Sequence, residues 1–254
     1  MFNIQLKSFK NKHYGESCYI LGDGPSIKSM DFSNFNDFPS ICCGKLFLRN
    51  DFNSLKCLYY AIPEPFLFAP NILKKQKYLK DYFFISKLIL KKILKNKKII
   101  FFINVTNILS VFTNNVRFIH RYINNPIKKI SPTDPFAGSF ITCLSLAHFM
   151  GFKKIYLIGF DSWTNKNSSD IRWFEKGIAS NKINNEIIDN DLIEYYKTSI
   201  EIKSILLNKE EGLNFDSITY FNFCGKLASY KENFELTTTE ILNVLKTQPE
   251  YKIE

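Results

Sequence analysis

The sequence predicts an α/β fold: a largely parallel sheet with helices on both faces and a small helical lid. Two observations predict it. Short apolar runs of strand length recur along the chain and alternate with longer stretches of helical periodicity. The apolar runs lack an in/out polar alternation, which marks strands buried on both faces.

The elements follow in order. Cys18 to Leu21 reads as the first strand, and Pro25, Ile27 and Met30 begin a helix after it. Ser40–Cys43 and Cys57–Ala61 read as two further buried strands. Ile62-Pro63-Glu64-Pro65-Phe66 breaks the pattern and is a loop. Lys74 to Lys95 reads as a basic amphipathic helix, and Ile99–Ile103 as a strand. Residues 104–130 fit neither period. Ser131-Pro132-Thr133-Asp134-Pro135 is a loop. Ser139 to Met150 reads as a buried helix stopped by Gly151, followed by a strand at Lys154–Gly159. Asp191–Leu207 reads as a helix, and Ile218–Asn222 as the last strand. No repeat or low-complexity linker divides the chain, so one domain over 1–254 is expected, with lid segments around 71–98 and 164–190.

The first strand ends on Gly22-Asp23-Gly24-Pro25-Ser26. A strand that turns on glycines into a helix start is a phosphate-binding geometry, because bare backbone N–H groups approach an anion closely there. Pro25 suits the first helical turn, where a missing N–H costs nothing. The segment is neither G-x-G-x-x-G nor a P-loop, and a plain strand-to-helix turn has the same outline.

Composition narrows the function classes. The formal net charge of +10 permits nucleic acid, an anionic membrane or a phosphorylated ligand as partner. No apolar run reaches the roughly 18 residues of a membrane span, and Met1 to Lys7 lacks the apolar core of a signal peptide, so a cytoplasmic protein is expected. The cysteines (Cys18, Cys42, Cys43, Cys57, Cys143, Cys224) form no CxxC pair and read as buried free thiols.

A second motif runs from Phe136 to Asp161. Gly138-Ser139 opens the buried helix, where the serine hydroxyl and free N–H groups suit an anion or a ribose. Asp161 follows the next strand at its carboxyl end, the edge where open parallel sheets bind ligands. A helix cap and a loop-capping carboxylate are the structural alternatives for these residues.

The early Gly22-Asp23-Gly24-Pro25-Ser26 turn, paired with Gly138-Ser139 and the run from His148 through Gly159 to Asp161, resembles the bacterial sialyltransferases of glycosyltransferase family 42. It is similar also to their wider relatives, the motility accessory factors and archaeal hydroxymethylpterin pyrophosphokinases. The resemblance covers residues 17–165 and, loosely, the strand near Tyr220. It implies a Rossmann-like, GT-A-like fold, a CMP-sialic-acid-like nucleotide-sugar donor and no metal or other cofactor. By the same resemblance Gly22, Asp23, Gly24, Pro25, Ser26, Gly44, Gly138 and Ser139 face the nucleotide. Asp23 and Gly44 stand where the family carries asparagines. The family's histidine base has no counterpart, since the histidines are His13, His120 and His148. Trp163 and Asp170 fall near its phosphate-steadying tyrosines. Asp161, Asp170, Glu175 and Asp134 are the candidates for the base. Arg172 or a nearby lysine is the candidate for stabilising the leaving phosphate.

Ten lysines between Lys74 and Lys98 interleave with apolar residues. They suit either an anionic membrane surface or a solvated helix face, and no nucleic-acid-binding module accompanies them. The expected protein is therefore a cytoplasmic glycosyltransferase, peripheral at the inner face of the membrane. It would take a nucleotide sugar and a glycan or lipid-linked acceptor in surface-glycan or lipo-oligosaccharide synthesis. A Mg-ATP pyrophosphokinase and a non-catalytic nucleotide-binding module remain open.

Overall fold

A computed structural model describes residues 6–69, 79–111, 113–119, 138–161, 172–174, 190–208 and 215–247. Eight strands form one sheet: β1 (Ser17–Leu21), β2 (Ser40–Cys42), β3 (Cys57–Ile62), β4 (Ile100–Asn104), β5 (Val116–Ile119), β6 (Lys154–Ile158), β7 (Glu201–Leu206) and β8 (Asp216–Thr219). Their order is β5-β4-β3-β2-β1-β6-β7-β8, and every neighbouring pair is parallel. The described helices are α1 (Leu79–Lys95), α2 (Gly138–Met150), α3 (Asn190–Ser199), α4 (Tyr220–Cys224), α5 (Asn233–Leu236) and α6 (Thr239–Thr247).

Alternate residues of each strand feed two cores. Tyr19 and Leu21 of β1 join Tyr60, Phe101, Ile103 and Ile158 on one face, under Ile85, Ile89 and Ile93 of α1 and Leu242 and Leu245 of α6. Cys18 and Ile20 join Ile41, Phe102, Ile155 and Leu157 on the other, under Phe140, Cys143, Leu144 and Ala147 of α2 and Tyr196 of α3. A sheet covered on both faces needs apolar residues at every position of its central strands, which is why these runs show no polar alternation. Among the described residues the cysteines are free thiols, and all but Cys224 are buried.

Several elements differ from expectation. The turn after β1 leads into a five-residue 3-10 helix, Pro25–Ser29, rather than an α-helix, and a second short one follows at Phe32–Phe35. Ile27, Met30, Phe32 and Phe35 are wholly buried, so this crossover is held by side chains plugged into the core rather than by a helix ladder. The undecided stretch after Asn104 contains β5, whose four residues are too few to display a period. Asp191–Leu207 is not one helix. The helix ends at Ser199 and β7 starts at Glu201 with no glycine or proline between them. There the pattern Ile200-Glu201-Ile202-Lys203 alternates buried and more exposed, the period of a strand. The last strand stops at Thr219, whose side chain accepts the Asn222 N–H and starts α4.

Of the expected lid segments, residues 79–95 form α1, whose buried stripe lies against the sheet. The 164–190 segment lies outside the described residues apart from 172–174 and 190. Residues 131–135 lie outside them as well.

The chain builds outward from β1 to β5, then returns to β6 on the other side of β1. Connections therefore leave β1 and β6 in opposite directions, and their carboxyl ends open a crevice at this switch point.

Removing side-chain bulk at Ile89, which is 1% exposed, should cost about 2–5 kcal/mol in urea unfolding for Ile89→Ala. Lys87→Ala, on the exposed face of the same helix, should stay within about 0.5 kcal/mol of the parent.

Candidate active site at the carboxyl edge of the sheet

Two turns meet at the switch point and lock together. The Gly22 N–H donates to Ile158 O at 2.8 Å and the Gly24 N–H to Gly159 O at 2.7 Å. The Ser26 N–H donates to Asp161 Oδ2 at 2.9 Å. A Cβ on Gly24 would stand 2.7 Å from Gly159 O and run into Asp161 Oδ2, so the glycine is needed for the approach of one backbone to another. The N–H groups of Gly22, Gly24 and Ser26 are spent on the neighbouring turn, and Pro25 has none. The 3-10 helix they open is also too short for an α-helix-like dipole.

Asp23, between the two glycines, is the hub of the edge. Its carbonyl accepts the Trp173 N–H at 2.8 Å. Its Oδ2 accepts the Lys45 N–H at 3.1 Å. Gly44 has φ +71, and a Cβ there would lie 2.5 Å from Asp23 Cγ. An aspartate is thus seated against a glycine at this edge. Tyr60 on β3 supports the same turn from below, its hydroxyl donating to Gly44 O at 3.0 Å. Burial pushes the Tyr60 phenol well above its ordinary pKa, so it stays a neutral donor.

Trp173, fully buried, carries Arg172 to this edge, and the Arg172 guanidinium lies 5.9 Å from the Phe174 ring. Gly138 and Ser139 reach it from the other side. Two residues on, the Phe140 ring sits 4.9 Å from that of Phe160, the residue between Gly159 and Asp161. Gly22, Asp23, Gly24, Pro25, Ser26, Gly44 and Asp161 are thus gathered on one edge, with the Arg172 backbone next to it through Trp173 and the Gly138-Ser139 start of α2 approaching it through Phe140. Asp134, Asp170 and Glu175 lie outside the described residues, as do Trp163 and His120.

Asp161 is half-buried. Burial raises its carboxyl above the ordinary carboxylate range, opposed by the hydrogen bonding from Ser26. The described histidines lie elsewhere. His13 bonds Glu16 at 3.0 Å and the Tyr59 hydroxyl at 2.7 Å and stacks on Phe152, near the amino ends of the strands. His148 is in the last turn of α2 between Tyr195 and Tyr196, and burial, aided by Lys153, lowers its pKa. Both are packing residues.

Two residues at this edge escaped the sequence reading. Lys45 and Glu64 follow β2 and β3, with Nζ and Oε1 3.8 Å apart. The rule that singled out Asp161, a carboxylate just past a strand's carboxyl end, applies equally to Glu64. Its place between two prolines made it read as a plain loop.

No protein-family model and no curated protein sequence matches the chain. Solved structures do. The chain is similar to the sialyltransferase CstII from Campylobacter jejuni in complex with cytidine-5'-monophosphate, at 17% identity and TM-score 0.52, over 92% of this chain and 98% of that one. A structure of CST-II with a trisaccharide acceptor and CMP matches at 17% identity and TM-score 0.50, over 86% and 92% of the two chains. The monofunctional alpha-2,3-sialyltransferase Cst-I from Campylobacter jejuni matches at 17% identity and TM-score 0.50, over 86% of each. These likenesses establish that the chain shares the α/β fold of these sialyltransferase structures.

Replacing Asp161 separates its bonding from its charge. Asp161→Ala leaves the Ser26 N–H unpaired and should cost about 1–3 kcal/mol, whereas Asp161→Asn keeps an acceptor. A buried acid with a raised pKa supports the fold fully below the unfolded-state pKa and loses that support as pH rises through the native one. Urea unfolding at about pH 4 and about pH 7 should therefore show the wild type losing stability relative to Asp161→Asn on going to the higher pH.

Proposed function

We propose that this chain is a glycosyltransferase that takes a sugar from a nucleotide-activated, CMP-sialic-acid-like donor and passes it to a glycan. One observation carries the reading. The turn after β1 and the Gly138-Ser139 start of α2 converge on the carboxyl edge at the switch point, in a fold shared over 92% of the chain with a CMP-bound sialyltransferase. Switch-point crevices are where open parallel sheets take nucleotides.

In this reading the Ser139 hydroxyl and the first N–H groups of α2 receive the donor, since the Gly22, Gly24 and Ser26 N–H groups of the β1 turn are already bonded. Negative charge grows on the phosphate as the sugar departs, and fixed cations lower that barrier. Arg172 and Lys45 supply them. Asp161 acts as a positioning residue that holds the turn through Ser26.

The acceptor belongs to surface-glycan or lipo-oligosaccharide synthesis, with the enzyme resting on the inner face of the membrane. No described helix is long and apolar enough to cross a membrane. The outer face of α1 supports a peripheral contact: Lys80, Lys87, Lys91 and Lys95 are exposed, together with Phe83 at 49% and Leu94 at 46%.

CMP should raise the melting temperature without added metal, by the equivalent of about 2.7 kcal/mol at a hundredfold excess over its Kd. Ser139→Ala should diminish that shift. A response to ATP with Mg²⁺, and none to CMP, would replace this reading with pyrophosphoryl transfer.

The protein should co-sediment with vesicles containing phosphatidylserine and be released by salt. Lys87→Glu with Lys91→Glu should weaken the attachment by roughly 1 kcal/mol or more per residue. Equal sedimentation with neutral phosphatidylcholine vesicles would contradict the electrostatic contact.

A further inference from the structure

Lys45 and Glu64 form an ion pair unlike the structural one beside it. Their side chains are 10% and 11% exposed, and Nζ and Oε1 are 3.8 Å apart, beyond hydrogen-bond length. Two desolvated charges at that distance are a poor stabilising device, because the desolvation cost is repaid only by close, well-directed bonds. The same domain builds a tight pair nearby. Arg49 holds Asp51 through two bonds of 2.8 and 2.7 Å, and its third nitrogen donates to Ile27 O at 3.0 Å.

The backbone under Glu64 is fixed. Asn104 Nδ2 donates to Pro63 O at 2.9 Å, and Asn107 Nδ2 donates to Glu64 O at 3.0 Å. The Phe66 N–H donates to Thr106 Oγ1 at 2.9 Å, and the Phe68 N–H to Asn107 Oδ1 at 3.1 Å. Lys45 is fixed through its own N–H on Asp23. Both chains are therefore positioned from below, with charged ends only loosely joined. The carboxylates of Asp23 and Asp161 each hold a backbone N–H. Among the described residues, none bonds the Glu64 carboxylate in that way, and no histidine reaches this edge.

We propose that Glu64 is the general base of the transfer and that Lys45, its loose partner, turns to the donor's phosphate. The assignment rests on the glycosyltransferase reading above. The acceptor oxygen forms its bond to the anomeric carbon, and the bond from that carbon to the phosphate oxygen breaks. The electron pair leaves with the nucleotide monophosphate, beside Lys45. The hydroxyl proton passes to a Glu64 carboxylate oxygen. When the donor takes up Lys45, the carboxylate is released from its loose partner at 3.8 Å.

The full chain, Glu64→Gln, Glu64→Asp and Lys45→Met are compared for CMP-induced melting shift and for steady-state transfer from a CMP-sugar to a glycan. Glu64→Gln should lose about 10²–10⁴-fold in kcat with its CMP shift intact. Glu64→Asp should recover part of the rate, and Lys45→Met should raise the donor KM and shrink the CMP shift. A Glu64→Gln protein that binds CMP and keeps kcat within threefold overturns the base assignment while leaving the transferase reading in place. An unchanged donor KM in Lys45→Met overturns the role of the lysine. A parent protein that neither binds CMP nor transfers sugar overturns the functional reading and this inference together.

Discussion

The contact between the turn after β1 and the turn after β6 sets the rest of the site. Two polypeptide backbones run against each other there, joined by N–H to carbonyl bonds of 2.8 and 2.7 Å and by the Asp161 bond to Ser26. Only residues without side chains permit that approach, so Gly22 and Gly24 are fixed by packing before any ligand is considered. Asp23, the residue between them, is directed by this contact toward Gly44, Lys45 and Trp173. Through Trp173 the same contact brings in Arg172, and through Lys45 it faces Glu64.

Much of the fold was legible in the sequence. The central strands and the α2–β6 unit appear in the sequence as apolar runs bounded by Gly22, Gly151 and Gly159. What was not legible shares one cause, the lack of punctuation. Ser199 and Ile200 join a helix to a strand with no breaker, so two periods merge into one apparent helix. Val116–Ile119 is too short to show a period, and its pairing with β4 is a tertiary fact. The crossover after β1 carries a helix-like pattern but folds as 3-10 pieces, because Ile27, Met30 and Phe32 all reach into the core from a short connection.

The site was legible by address and not by role. Position at a carboxyl strand end found Asp161, the glycine turn after the first strand held Asp23, and the family resemblance pointed to Gly44. It could not reveal that the Gly22, Gly24 and Ser26 N–H groups are already bonded, since hydrogen bonds such as that between residues 24 and 159 leave no trace in local spacing. Nor could it find Trp173, which matters through a backbone N–H that any residue type would supply.

The electrostatics of the edge reconcile an acidic lining with an anionic donor. Asp23, Glu64 and Asp161 would repel a phosphate if their charges were bare. The Asp23 carboxylate is shared with the Lys45 N–H, and the Asp161 carboxyl, raised by burial above the ordinary carboxylate range, is turned onto the Ser26 N–H. Lys45 faces Glu64 at 3.8 Å and offsets its charge. In the proposed transferase, the field a donor meets would be set by Lys45, Arg172 and the start of α2 more than by the count of carboxylates. The pair at 3.8 Å is then the adjustable part of an otherwise fixed edge: one member has a reason to move toward the phosphate, and the other is left with a charge that only a proton can quench.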